Sequence, residues 1–244
     1  MITSKQNALI KEVRSLLNKK YRAQLKKYIV EGIKMVNEAI ALGQKIHVII
    51  CTEKCFSQLL PCQCKIELVS EEVYNSITDE SSPQGVMAVL HMQEQLLLEP
   101  KGSCLILDGV SDPGNLGTII RTMACAGYKD LYLTEDCADA YSPKAVRSSM
   151  SGIYHVNVMI ATRQQILKVV NLPIVVADMG GEDVYKTQIS GDFCLVIGNE
   201  AHGVSLELKS KATKIVKLSM QKGMESLNAS VCAGILMYTL KNNQ

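Results

Sequence analysis

The first residues able to do chemistry follow an apolar stretch at 104–107. Asp112, Pro113 and Gly114 predict a turn, and Asn115 is of a type that can cap the helix expected after it. A turn and a cap explain these four residues without any catalytic role. Arg121 is different, because it falls in a helix otherwise made of small and apolar residues. It is either a solvated side chain or a cation for an anionic ligand.

A second polar segment, residues 198–203, follows the apolar run that ends at Ile197. Gly198 permits a close backbone approach to a ligand. Glu200 can accept hydrogen bonds or pair with an arginine. His202 is of a type that can act as a base, although a loop histidine next to a helix cap (here Ser205) is more often structural.

A third segment follows the strand expected to end at Leu218 and contains a glycine loop before a final helix. Ser226 is a residue type that caps such a helix. Asn228 then falls in the first turn, where an asparagine gives the helix no advantage. The small residues of this helix predict close packing, either against another helix or across a dimer seam.

These segments lie on a regular alternation of secondary structure. Strands are expected at 104–107, 131–134, 156–160, 174–177, 193–197 and 215–218, with helices at 115–126, 143–150, 163–170, 205–212 and 226–240. Apolar strands alternating with helices predict an α/β fold with a mostly parallel sheet and helices on both faces. Ligands of such sheets bind beyond the carboxyl ends of the strands, and the three segments follow strands there.

The first ninety residues predict a smaller α/β unit, which begins with a helix over 4–18. Residues 92–102 break the pattern and end in Pro100 and Gly102, so we expect domains at 1–95 and 96–244. Residues 1–27 hold eight basic residues and one acidic residue, Glu12. Such a segment is typical of a surface that follows the phosphates of a nucleic acid, and equally of a solvated lysine-rich helix.

Taken together, three motifs resemble the SpoU/TrmH family of RNA 2′-O-ribose methyltransferases. They are Asp-Pro-x-Asn-x-Gly-x-x-x-Arg, Gly-Asn-Glu-x-x-Gly and Glu-Ser-Leu-Asn-x-Ser, in this order within residues 104–240. Residues 1–92 resemble, more loosely, the small RNA-binding domain that many members carry in front. One departure is Ser219, where the family usually has proline, which leaves the stiffness of that loop in question.

The resemblance implies a C-terminal trefoil knot of the SPOUT type and a homodimer through the knotted domain. It implies S-adenosylmethionine as cofactor, held by Ile197, Gly198, Leu218, Met220 and Leu227. It assigns the catalytic site to Asn115, Arg121, Glu200, Ser226 and Asn228. Because arginine almost never loses its proton, we expect Arg121 to clamp a phosphate and stabilise the oxyanion rather than act as a base. Glu200 is expected to position Arg121 or the adjoining loop.

The expected substrate is structured RNA, with ribosomal RNA favoured over tRNA. Phosphate contacts are expected from Lys19, Lys20, Arg22, Lys26 and Lys27. The open alternatives are a tRNA 2′-O-methyltransferase, a catalytically silent RNA-binding assembly or resistance factor, and a nucleotide-dependent enzyme acting on small molecules. The absence of a G-x-G-x-x-G or Walker motif speaks against the last.

Composition narrows the class of protein further. No apolar run approaches the length of a membrane span, and the first residues carry no apolar signal segment, so a cytoplasmic protein without membrane partners is expected. Cys51, Cys55, Cys62 and Cys64 raise the question of zinc, but their spacing is not the paired C-x-x-C of common zinc sites. We expect no metal, with these cysteines as small buried or loop residues.

Overall fold

The computed structural model describes residues 1–94, 96–221, 223 and 226–242. Its first sheet has the strand order β1-β4-β2-β3, in which β4 is antiparallel to both neighbours and β2 is parallel to β3. The strands are β1 Lys27–Glu31, β2 Ile46–Cys51, β3 Ile66–Leu68 and β4 Val86–His91. The helices are α1 Ala8–Ser15, α2 Lys19–Leu25, α3 Ile33–Ala41, α4 Glu53–Phe56 and α5 Glu71–Tyr74.

The helix expected over residues 4–18 is wrong in extent, because α1 covers only Ala8–Ser15. Asn7 accepts a hydrogen bond from the backbone N–H of Leu9, and Asn18 does the same for Lys20. Each cap satisfies a donor that the helix itself leaves without a partner, so Asn7 stabilises the start of α1 and Asn18 the start of α2. The second helix then ends at Lys26, whose backbone is left-handed with φ 52°.

The second sheet contains six strands in the order β10-β8-β9-β5-β6-β7, and every pair of neighbours is parallel. Its strands are β5 Cys104–Asp108, β6 Asp130–Thr134, β7 Asn157–Ala161, β8 Ile174–Asp183, β9 Cys194–Gly198 and β10 Lys214–Lys217. Its helices are α6 Pro113–Ala126, α7 Pro143–Ser149, α8 Arg163–Val169, α9 Leu206–Lys209 and α10 Ala229–Asn242. Short 3-10 helices span Met150–Tyr154 and Val184–Lys186.

Helices cover both faces of this sheet, which confirms the predicted α/β architecture. Successive residues of a strand point to opposite faces. Leu105 and Leu107 therefore face one core, with α6, α7 and α10, while Cys104 and Ile106 face the other, with α8 and α9. Both cores are largely aliphatic, since the chain has no Trp and only two Phe residues.

Helix starts near the site differ from expectation. Asp112, not Asn115, caps α6, and its side chain accepts from the Asn115 backbone N–H. The last helix begins at Ala229 rather than at 226, with Asn228 Oδ1 accepting from Ser230 N and Val231 N. The helix expected over 205–212 is only Leu206–Lys209.

Candidate active site

A cavity of about 480 Å³ lies at the carboxyl ends of β9 and β10, next to residues 177–179 in the middle of β8. Its volume lies in the range that small-molecule sites occupy, roughly 300–1,000 Å³. The structure brings together there all five residues expected to hold the cofactor: Ile197, Gly198, Leu218, Met220 and Leu227. Glu200, Ser226 and Asn228 line the same cavity.

Gly198 shapes the wall through a tight backbone crossing. A Cβ atom at Gly198 would lie 2.2 Å from the carbonyl carbon of Gly203 and 2.3 Å from the nitrogen of Val204. The loop returns onto itself because Asn199 and Gly203 exchange two backbone hydrogen bonds of 3.1 and 2.9 Å. Asn199 Nδ2 also donates to the Gly109 carbonyl at 2.7 Å. The glycine is therefore required by the fold of the loop.

A chain of side-chain hydrogen bonds joins the three motifs. Asn228 Nδ2 donates to Asn115 Oδ1 at 2.9 Å, and Asn115 Nδ2 donates to Glu200 Oε1 at 2.9 Å. Both ends of the Asn115 amide are thus fixed. Within the described residues Glu200 contacts Asn115 and forms no ion pair with Arg121, so of its two expected roles only the positioning of the adjoining loop stays a prediction. Glu225 of the third motif lies outside the described residues.

Arg121 lies six residues after Asn115 on α6, with its side chain exposed and outside the lining of the cavity. Its backbone is crossed closely by the 3-10 helix, since a Cβ atom at Gly152 would lie 2.8 Å from Arg121 Cα. Across the part of the chain that the structure describes, no hydrogen bond or ion pair engages its guanidinium. Arg121 is therefore an accessible cation on the same helix as Asn115.

Sequence reasoning missed Asp178 and Met179, which also line the cavity. Asp178 Oδ2 pairs with Lys209 Nζ at 2.7 Å, and this contact holds the pKa of the carboxyl below its usual range. Lys209 balances the charge of Asp178, so Glu200 is the carboxylate that this mainly apolar cavity offers to a cationic ligand. The signal was available, because Asp178 directly follows the strand expected at 174–177.

A second ionic network stabilises the loops that follow β5, β6 and β9. Arg163 bridges the buried Asp108, at 2.6 Å, and Asp136, at 2.7 Å. Asp108 also accepts from the backbone N–H of Ser205 at 2.7 Å. The ends of β5 and β6 and the start of α9 are thereby held together, which fixes the loop that carries Glu200.

Comparison with known proteins places this site in a family. The model of the SpoU rRNA methylase family matches residues 102–238, more than half of the chain. The chain belongs to the SpoU rRNA methylase family. A second model, the MRM3-like substrate binding domain, matches residues 7–88 of this SpoU protein.

Individual relatives agree over the full length. The chain is 32% identical over 254 residues to the 23S rRNA (guanosine(2553)-2′-O)-methyltransferase RlmP of Bacillus subtilis, with 98% of each chain covered. An AdoMet-bound rRNA methyltransferase from Sinorhizobium meliloti superposes with TM-score 0.88 at 27% identity, covering 99% of this chain and 97% of that one. A TrmH-family structure from Porphyromonas gingivalis superposes with a TM-score of 0.85 at 27% sequence identity, covering 99% of both chains.

The residues expected to contact RNA differ in their exposure in this SpoU protein. Lys19, Lys20 and Lys26 are exposed. Lys27 is only 13% exposed and pairs with Glu12 at 2.7 Å. Arg22 is a correction, because its side chain is 4% exposed and pairs with Asp139 at 2.7 Å. A buried guanidinium with a carboxylate partner is not available to phosphate.

The clustered cysteines show no metal geometry. Among the residues with described positions, no group of three or more His, Cys, Asp or Glu side chains is placed to hold a metal ion. Cys51 and Cys55 are buried, while Cys62 and Cys64 are partly buried. Burial raises the pKa of Cys51 to about 11, so its thiol stays protonated at neutral pH. Separately, none of the described helices is long and apolar enough to cross a membrane.

Proposed function

We propose that this SpoU-family enzyme transfers the methyl group of S-adenosylmethionine to a ribose 2′-hydroxyl of ribosomal RNA. The observation that carries the proposal is the hydrogen-bonded chain Asn228–Asn115–Glu200. It joins all three motifs at the cavity lined by the five expected cofactor residues. A structural role alone does not require polar side chains from three distant segments to converge there.

The cavity fits the cofactor. Ile197, Leu218 and Leu227 supply apolar walls for the two faces of an adenine ring. The backbone groups of Gly198 and Met220 can form hydrogen bonds with the edge of that ring. When bound, the cofactor supplies a sulfonium methyl carbon with a good leaving group. The negative charge of Glu200 complements that cation.

The protein's own contribution is alignment and charge. Holding the ribose hydroxyl in line with the methyl carbon removes much of the entropic barrier. Asn115, fixed at both ends of its amide, is suited to orient the ribose, and Ser226 borders the same space. Arg121 keeps its proton and therefore binds an RNA phosphate and stabilises the developing oxyanion. The phosphate that it holds is an acceptor for the hydroxyl proton.

Ribosomal RNA is favoured over tRNA because the relative matching over 98% of the chain is named a 23S rRNA methyltransferase. We take residues 1–95 as the substrate-binding domain and 96–244 as the catalytic domain. With an RNA substrate of this kind, we propose the cytoplasm as its compartment and no metal requirement.

A homodimer through α10 is part of the proposal, supported by the exposed Val231 (50%) and Tyr238 (47%) on that helix. The C-terminal trefoil knot belongs to the proposal through the match to the SpoU family over residues 102–238.

The test compares Arg121→Ala and Arg121→Lys with the wild type in two assays. One is calorimetric binding of S-adenosylmethionine, and the other is methyl transfer to protein-free 23S rRNA from a Bacillus subtilis strain lacking RlmP. We expect Arg121→Ala to reduce transfer by about 100-fold or more while cofactor affinity stays unchanged. Equal loss in both assays would make Arg121 structural.

Two further outcomes separate the alternatives. A wild-type protein that binds the RNA but not millimolar S-adenosylmethionine would be a silent RNA-binding factor. Faster transfer to bulk tRNA than to 23S rRNA would make the enzyme a tRNA methyltransferase.

A further inference from the structure

One end of the first sheet is strongly basic. The strands β1 and β2 begin at this end and the antiparallel β4 finishes there. Backbone hydrogen bonds from Met92 to Lys26, from His91 to Lys45 and from Ile49 to Lys65 bring the flanking residues together. We call this group the basic sheet end: Lys26, Lys27, Lys45, His47, Lys65 and His91.

Few acidic groups balance these cations. Glu12 pairs with Lys27 at 2.7 Å and lies 3.8 Å from His47 Nε2, and Glu67 pairs with Lys65 at 2.9 Å. Lys26 and Lys45 are exposed and, within the described ranges, have no acidic partner. The surface therefore keeps an excess of positive charge.

The two histidines lie inside this positive field. Their ring centroids are 5.5 Å apart and their planes meet edge to face at 87°. Partial burial lowers the pKa of both rings, and the nearby lysines lower it further. The free protein thus holds two mostly neutral imidazoles at a place where an anion would favour their charged form.

The opposite end of the same sheet is acidic. Glu31 ends β1 there, and Asp79 and Glu80 both contact Arg147 at 2.7 Å. Burial, with Glu80 and Asp79 nearby, raises the pKa of Glu31. The sheet is therefore polarised along its strands, and only one of its ends suits a polyanion.

The backbone of Lys26 has φ 52° and ψ 40°, a left-handed conformation that ends α2 and favours glycine. The exposed ammonium group of Lys26 belongs to the basic sheet end.

Residues next to the basic sheet end contact the domain that carries the cavity. Residues 135–142, the loop at the carboxyl end of β6, contact α2 and β1 through Arg22–Asp139 and the Tyr28–Tyr141 ring contact at 4.9 Å. The same loop leads into α7, where Lys144 pairs with Asp112 at the start of α6.

We infer, on the basis of the proposed RNA methyltransferase function, that the basic sheet end is a phosphate-binding surface for the RNA. It holds a backbone segment remote from the target ribose, and residues 135–142 fix its distance from the cavity. Lys45, His47, Lys65 and His91 are then RNA contacts in addition to the lysines of α2 and β1.

The test measures binding of an unmodified transcript of the Bacillus subtilis 23S rRNA segment around guanosine 2553. Lys26→Glu combined with Lys45→Glu should raise Kd at least about tenfold and reduce the slope of log K against log salt by about 2. The control, Lys34→Glu combined with Lys54→Glu, makes the same charge change at the other end and should leave Kd within about twofold. Equal effects of the two pairs would overturn the proposal.

Lys26→Gly distinguishes an RNA contact from a structural role. Glycine accepts the left-handed backbone, so this variant should melt at or above the wild-type temperature while binding the transcript more weakly. Unchanged binding by Lys26→Gly and by Lys45→Gln together would contradict the inference. Methyl transfer to the same transcript is measured separately. If the variant with Lys26→Glu and Lys45→Glu transfers methyl groups as fast as the wild type, only the phosphate-binding surface is refuted. If the wild type binds the transcript through the basic sheet end but transfers no methyl group, only the proposed methyltransferase function is refuted.

Discussion

At the scale of single residues, Asn228 has two structural tasks. Its Oδ1 accepts hydrogen bonds from Ser230 N and Val231 N and so caps α10. Its Nδ2 donates to Asn115, which in turn donates to Glu200. The residue thereby ties the start of a helix to the centre of the proposed active site.

Asn228→Asp separates these two tasks. Aspartate caps helices as well as asparagine does, so the free energy of unfolding should change by less than about 0.5 kcal/mol. Methyl transfer should fall by about tenfold or more, because no donor remains for Asn115. The matched variant Asn228→Ala should lose about 1 kcal/mol as well as activity. Urea unfolding and transfer rates check both, and full activity in Asn228→Asp would exclude the proposed role.

Sequence predicted the cavity wall better than it predicted isolated charges. The resemblance of the motifs to the SpoU/TrmH family implies Ile197, Gly198 and Leu218, and each motif is a short contiguous stretch of the sequence. Arg22 looked like a phosphate contact, yet it pairs with Asp139, 117 residues away. Such a partner depends on how two regions pack, and no local pattern reveals it.

At the scale of elements, the loop after β9 depends on its first glycine. The β9 strand ends at Gly198, where the chain turns back so closely that a Cβ atom would contact the Gly203 backbone at 2.2 Å. This crossing also places Glu200 at the cavity.

We expect Gly198→Ala to displace this loop and weaken S-adenosylmethionine binding by at least about tenfold, with a loss of about 1–3 kcal/mol in stability. Gly102→Ala is the control, because its Cβ would meet no heavy atom closer than 3.7 Å. Calorimetry and thermal melting report both quantities. Unaltered cofactor affinity in Gly198→Ala would show that the loop does not shape the site.

The histidines of the first sheet predict a pH dependence of RNA binding. The pKa values of His47 and His91 are lowered in the free protein, by burial first and then by charges that include Lys27, Lys45 and Lys65, partly opposed by Glu12. A bound phosphate would raise them, so binding takes up protons. Transcript affinity should therefore increase as the pH falls from about 7.5 to about 6.

Replacing both histidines by glutamine should flatten that increase at constant salt. If the affinity of this double variant depends on pH as that of the wild type does, groups other than His47 and His91 take up the protons.

The order of strands and helices could be predicted because burial repeats with a regular period along the chain. Helix ends could not, since they depend on particular side chains. Asp112 rather than Asn115 caps α6, and Asn18 starts a helix that no apolar period marks.

At the scale of the whole molecule, the two sheets share one continuous core. Tyr28 packs on Tyr141, and the Tyr154 hydroxyl donates to the Met35 carbonyl at 3.1 Å. The buried Arg22–Asp139 pair crosses the same boundary. A packed junction of this kind suits an enzyme that holds RNA at one place and reacts at another.

Asp139→Ala tests that junction. Removing one partner leaves the Arg22 charge buried and unpaired, so stability should fall by about 3 kcal/mol in urea unfolding. Tyr154→Phe, which deletes only a hydroxyl at the same boundary, should cost about 1 kcal/mol. Equal small losses in the two variants would mean that the ion pair does not hold the regions together.

The most direct measurement of the central claim is nucleoside analysis of 23S rRNA after reaction with the wild-type protein and methyl-labelled S-adenosylmethionine. Ribose transfer predicts label in a single 2′-O-methyl nucleoside, resistance of one linkage to alkaline cleavage, and loss of both in Arg121→Ala. Label on a base, or no label with an RNA that the protein binds, would contradict the account.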